Sequence, residues 1–254
     1  DFSAQCPLAG VLSVQYSAVF AKDDSHEVVV NISDDENTQS FVLDNAQRHI
    51  EVNLADGSAW VTFKEFVYQG IIHIWIGTDH ILFLLALLLP CVLLREDGQW
   101  QRNPQLKNVL STTVWIISAF TLAHSVTLTA TALGWIVPSS RWVEFGIAVS
   151  VLFAALNNVK PLILRLGWVT FAFGLLHGMG FAGVLGELGL PGDQKLLSIL
   201  AFNLGVEIGQ LAIVLVALPV LILLAKTVLY RRWLMPAASV GIALVALNWA
   251  LERF

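Results

Sequence analysis

The sequence predicts an all-α polytopic membrane bundle of about six transmembrane helices, with a small extramembrane β domain at the N-terminus. Three observations predict it. Charged residues make up 13% of the 254 positions and hydrophobic residues 56%, whereas a soluble domain carries roughly 25% charged residues. Apolar runs of about 17–25 residues, long enough to cross a hydrocarbon core, recur after residue 70. Basic residues gather in alternate loops, as the positive-inside rule requires.

Residues 1–61 are expected to form an exported β-rich domain. The stretches "VLSVQYSAVF", "EVVVNIS" and "HIEVNLA" mix alternating and β-branched residues, with turn formers such as Asp34-Asp35 and Asp56-Gly57 between them. Nothing in this domain looks catalytic, and His26 and His49 read as surface histidines. Two cysteines, Cys6 and Cys91, are too few for a disulfide framework. The start at Asp1, with no leader, fits a trimmed export product. "TFKEFVYQG" reads as an interfacial lead-in, with Thr62 as a helix cap and Phe63, Phe66 and Tyr68 at headgroup level.

The remainder, 62–254, is the expected membrane domain, with spans near 71–94, 109–133, 142–159, 162–186, 197–225 and 233–251. With the front domain outside, the inner loops hold Arg95, Arg102, Lys107, Lys160, Arg165, Lys226, Arg231 and Arg232. The outer side beyond the front domain holds only Arg141, Lys195 and Arg253. This bias orients the chain, expected in a bacterial inner membrane, with residues 1–61 periplasmic or extracellular, and it puts Cys6 and Cys91 on opposite sides. The net charge of −5 and the lack of a basic tract argue against a nucleic-acid partner. No internal repeat supports an inverted-repeat transporter.

Ionisable groups inside a bilayer are costly, roughly 2.5–3.5 kcal/mol for an aspartate at a helix centre, so they face the bundle interior and have partners. His80, His124, His177 and Glu207 come from four different spans, yet each lies nine or ten residues from the outer end of its span. At about 1.5 Å per residue that is a common depth of roughly 14 Å, near the middle of a 30 Å core. Asp79 adjoins His80. Asn203, Glu207 and Gln210 fall at i, i+4 and i+7, a polar stripe on an apolar helix, and Thr121, His124 and Ser125 share a face. Gly174 and Gly178 permit close helix approach beside His177.

Imidazole plus carboxylate suits zinc, nickel, iron or copper rather than magnesium or calcium. His73 and His80 share a face but stand roughly 10 Å apart along a straight helix. Either Gly77 breaks the helix and brings them together, or they are successive stops on an ion path, an arrangement that suits conduction.

"HIWIGTDH" has the form histidine, five residues, aspartate-histidine. With "AHSVTL", "FGLLHGMGFAGVL" and "FNLGVEIGQL", residues of about 62–225 resemble the HupE/UreJ family of bacterial membrane proteins, in the branch with an exported front domain. Ile74 stands where the hydrogenase-linked branch commonly has proline. The resemblance implies a nickel-type divalent-metal permease, with His73, Asp79 and His80 taking part in metal passage. It also implies a link to metalloenzyme maturation, which makes an accessory role, with a periplasmic partner on the front domain, a further alternative. A different class also fits the residues: a zinc-dependent intramembrane hydrolase, with three histidine ligands, Ser125 nearby and Glu207 or Asp79 as base.

Overall fold

In the computed structural model the described residues are 11–17, 28–33, 38–53, 59–96, 98–163, 167–180 and 192–254. Cys6, His26, the Asp34-Asp35 and Asp56-Gly57 turns, Arg165 and Glu187 lie outside them.

The N-terminal part is β structure. Strands β1 (Val11–Gln15) and β4 (His49–Asn53) pair antiparallel with Val14 opposite Ile50, and β2 (Val28–Ser33) pairs antiparallel with β3 (Thr38–Leu43), Val30 opposite Phe41. Alternation puts Leu43, Ile50 and Val52 into a small apolar core with Val14, Val28 and Phe41 around it. Helix α1 (Ala59–Ile76) follows and touches β3. Thr62 is fully buried inside α1, one turn past its start, and so does not cap it.

The rest is a helical bundle. Helix α2 (Thr78–Cys91) leaves α1 at Gly77 with a 70° bend. A hairpin, β5 (Leu93–Glu96) and β6 (Gln99–Arg102), leads to α3 (Leu106–Ala132), with Gly98 at φ 75° in its turn. The Asp97-Gly98 dipeptide is the usual signal for a two-residue hairpin, and only Gly adopts that φ at no steric cost. Then come α4 (Ser140–Val159), α5 (Gly167–Gly180), α6 (Gly192–Leu224), a π-type turn at Tyr230–Leu234 and α7 (Met235–Arg253).

Among the described residues four helices are long and apolar enough to cross a membrane: α3, α4, Lys195–Leu224 and Tyr230–Arg253. The bent pair α1–α2 makes a fifth if it is one span. The expected count of about six is not reached, for two reasons. The first span is broken at Gly77, and the fourth is described as helix over only 14 residues, with 164–166 and 181–186 of its expected range outside the described residues. Trp75, Trp135, Trp142 and Trp233, which lie near the ends of the expected spans, are all exposed, as tryptophans in an interfacial aromatic belt are.

Small residues set the helix pairs. Gly70 of α1 and Gly205 of α6 meet so closely that a Cβ on either would lie 2.1 Å from a carbonyl oxygen of the other helix. A Cβ on Gly174 or Gly178 would likewise run into the Phe120 or His124 carbonyl, at 2.6 and 2.3 Å, so α5 lies against α3 with backbones in contact. These two crossings, with α4 packed on α7, frame the interior where the polar residues meet. Phe83, Leu87, Leu88, Ile116, Phe120 and Val151 form its apolar core.

Candidate metal centre

The bend at Gly77 builds the centre. Gly77 has extended backbone (φ −64°, ψ 91°), its N–H still donates to the His73 carbonyl at 3.0 Å, and its own carbonyl accepts from Ile81 N at 3.1 Å. The chain therefore turns sharply without leaving these groups unpaired, as a bilayer interior demands. His73 in the last turn of α1 and His80 in the first turn of α2 are brought together, their ring centroids 4.7 Å apart. Of the two arrangements open to the sequence, the break is the one adopted.

His124 of α3 completes a group. One donor atom from each of His73, His80 and His124 lies within 4.8 Å of the other two. His80 and His124 are buried, and His73 is half-buried. A tetrahedral ion with bonds near 2.05 Å needs ligand atoms about 3.4 Å apart, so modest closure around a cation suffices. Phe202 stands 5.4 Å from the His73 ring and Phe120 5.9 Å from that of His124, walling the group with aromatic surface.

Asp79 works through His80. Its Oδ1 lies 3.1 Å from His80 Nδ1 and accepts from His80 N at 2.9 Å. A carboxylate on Nδ1 holds the proton there and leaves Nε2 as the lone-pair donor, the arrangement that orients metal-binding imidazoles. Nε2 of His80 is buried and makes no hydrogen bond. The carboxylate also sits at the start of α2, where the helix dipole favours negative charge.

His177 of α5 stands beside the three-histidine group rather than in it, its ring 5.0 Å from that of His80. Ser150 of α4 is its partner. The Ser150 hydroxyl donates to the Ile147 carbonyl at 2.7 Å and lies 3.0 Å from His177 Nε2. With its one proton committed, the hydroxyl accepts from Nε2–H, so Nδ1 of His177 carries the lone pair, and Nδ1 is buried with no hydrogen-bond partner. Ser150→Ala is expected to release this tautomer and cost about 1 kcal/mol, with Ser150→Thr keeping it. Nitrogen NMR of histidine-labelled, metal-free protein reads the tautomer directly. An unchanged His177 pattern in Ser150→Ala would refute the assignment.

Of the other expected residues, Asn203 lies on α6 beside His124, its Oδ1 buried and without a full hydrogen bond. Thr121 Oγ1 is 2.7 Å from Gln210 Oε1 and 3.0 Å from the Ile117 carbonyl, so this pair ties α3 to α6. Ser125 is half-buried and lies outside the three-histidine group. Glu207 is exposed on α6 and also outside it. The reason is angular: at 100° per residue, Glu207 lies about 40° beyond Asn203 while Gln210 falls about 20° to the other side. Over this stretch the buried arc of α6 ends between Asn203 and Glu207. Ser150 escaped the sequence reading, since one serine in an apolar span carries no pattern of its own.

No curated protein and no solved structure matches this chain. A family model described as HupE / UreJ protein matches residues 47–253, a range wider than the motif-bearing stretch, taking in β4 and the last helix. Members of that family are linked to metal uptake or metalloenzyme maturation. The match runs through every helix that carries a histidine of the centre, and the chain belongs to the HupE/UreJ family.

Proposed function

We propose that this protein is a divalent-metal permease of a bacterial inner membrane, carrying nickel or zinc, with residues 1–61 on the periplasmic side. The observation that carries the reading is the convergence of His73, His80 and His124 from three helices at a break in an apolar segment. Polar groups of this kind in a bilayer mark ion pathways. Three imidazoles suit a borderline transition metal, and Asp79 behind His80 raises its basicity. His177 and Asn203 stand next to these ligands as further donors, and Glu207 is left out of the ligand set. Passage requires such a site to bind the ion and release it, and not to trap it.

A second reading has one observation in its favour: three histidines with an open position are also the ligand set of zinc hydrolases. Its general base is harder to find, because Asp79 is engaged by His80 and Glu207 is exposed away from the group. Metal retention separates the two. For a permease, detergent-purified protein loses its metal to mild chelation, rebinds nickel or zinc weakly, and passes one of them into liposomes. One zinc per chain that survives chelation, without flux, would overturn the permease in favour of the hydrolase.

A further inference from the structure

Beyond the histidine group, α2 and α3 run side by side toward the end of the bundle that bears Arg95, Arg102 and Lys107. Read in that direction, α2 presents His80, Phe83, Leu87 and Cys91, and α3, running the opposite way, presents His124, Phe120, Ile116 and Thr112. The steps are three or four residues throughout, so each set lies on one helix face. Each runs about 16–18 Å, roughly half a hydrocarbon core.

Two cavities lie along this seam. The first, of about 10 Å³, is bounded by His80, Phe83, Leu87, Ile116 and Phe120, space for no more than about one water. Its walls are shut: Phe83, Leu87, Ile116 and Phe120 are all at most 4% exposed, and the Phe83 and Phe120 rings stand 5.3 Å apart. The second, of about 620 Å³, is bounded by Cys91, Thr112, Ile116 and Asn158, with Arg95 and Trp100 toward the hairpin. Ile116 lines both and so forms part of the wall between them.

We propose that the large cavity is the exit vestibule for the transported cation, and that Phe83, Leu87, Ile116 and Phe120 form a closed apolar gate between it and the histidines. This rests on the permease reading above. Constrictions of this kind gate by excluding water, and a 10 Å³ space admits no hydrated ion until side chains move. The vestibule is fitted to receive an ion and let it go. Asn158 is 1% exposed, its Nδ2 donates to the Ala86 carbonyl at 2.7 Å and reaches Ser239 Oγ at 3.2 Å, and its Oδ1 has no hydrogen-bond partner. That oxygen is buried, so it becomes free to meet a cation or its water when neighbouring side chains move. Arg95, stacked over Trp100 at 5.3 Å, sets a fixed positive charge at the cavity that opposes retention.

The vestibule wall makes the route testable in proteoliposomes, because Thr112 is exposed on it, whereas the Cys91 thiol is buried and donates to the Leu87 carbonyl at 3.1 Å. In a Cys6→Ser, Cys91→Ser background, a charged, membrane-impermeant thiol reagent is expected to modify Thr112→Cys from the side of the basic loops and not from the other. Leu87→Trp, which fills the gate, is expected to cut nickel or zinc flux by about tenfold or more. Binding to the histidines, measured in detergent, should stay within about twofold. Leu87→Ala, which widens it, is expected to raise flux severalfold, a change of sign that misfolding would not produce. Wild-type flux in both Leu87 variants, or a Thr112→Cys unreactive from both sides, would overturn the route while leaving the permease standing. A wild-type protein that binds metal and passes none would sink the permease reading and the route together.

Discussion

His80→Ala is expected to abolish nickel or zinc binding, with affinity falling by more than the roughly 10–100-fold typical when an outer partner of a ligand is lost. The expectation comes from position. His80 is the one histidine that lies within about 6 Å of each of the other three, with ring centroids 4.7 Å from His73, 6.0 Å from His124 and 5.0 Å from His177. It is also the one whose tautomer a carboxylate fixes. Asp79→Asn keeps an oxygen for His80 Nδ1 but loses the charge, so its loss should fall within the 10–100-fold range. Glu207→Gln should bind as the wild type does, because that side chain is exposed away from the group. Calorimetric titration of the three variants checks the ranking. Equal losses in Glu207→Gln and His80→Ala would mean that the ligand set is drawn from the common depth of the four spans, and not from the three-histidine geometry.

Gly77→Ala is expected to damage the centre without touching a ligand. A Cβ at Gly77 would lie 2.7 Å from the His73 carbonyl oxygen, 2.9 Å from His80 Nδ1 and 3.3 Å from Asp79 Oδ1. The first is backbone and cannot swing away; the other two are the atoms that orient His80. Alanine also favours continuous helix over Gly by about 1 kcal/mol. Joining α1 to α2 would return His73 and His80 to a separation of roughly 10 Å along the axis. Metal affinity should therefore fall by at least about tenfold, with circular dichroism showing the same helix content or slightly more. Wild-type affinity in Gly77→Ala would show that the bend is not what assembles the site.

The helical bundle and most of the centre were legible in the sequence because they rest on local signals. Length and hydropathy mark spans wherever a bilayer must be crossed. A histidine in such a span must face inward whatever the fold, since lipid offers it no partner, and His80, His124 and His177 are all buried. The β-rich front was legible for a similar reason, as period-2 alternation follows from pleating alone.

Other features depended on partners far away in the chain. Whether His73 and His80 come together turned on Gly77, which by itself permits a continuous helix or a break; the 70° bend is made by packing α1 on α6 and α2 in the core. Asn203 and Glu207, one turn apart on one predicted stripe, differ in burial because the edge of α6's contact falls between them. Ser150 gained a role only when α4 came to lie beside α5. The sequence by itself determined which residues had to leave lipid, since transfer cost belongs to each side chain. Which of them come together was decided by the tertiary structure, because that depends on helix rotation and bend, set by how small residues let backbones meet.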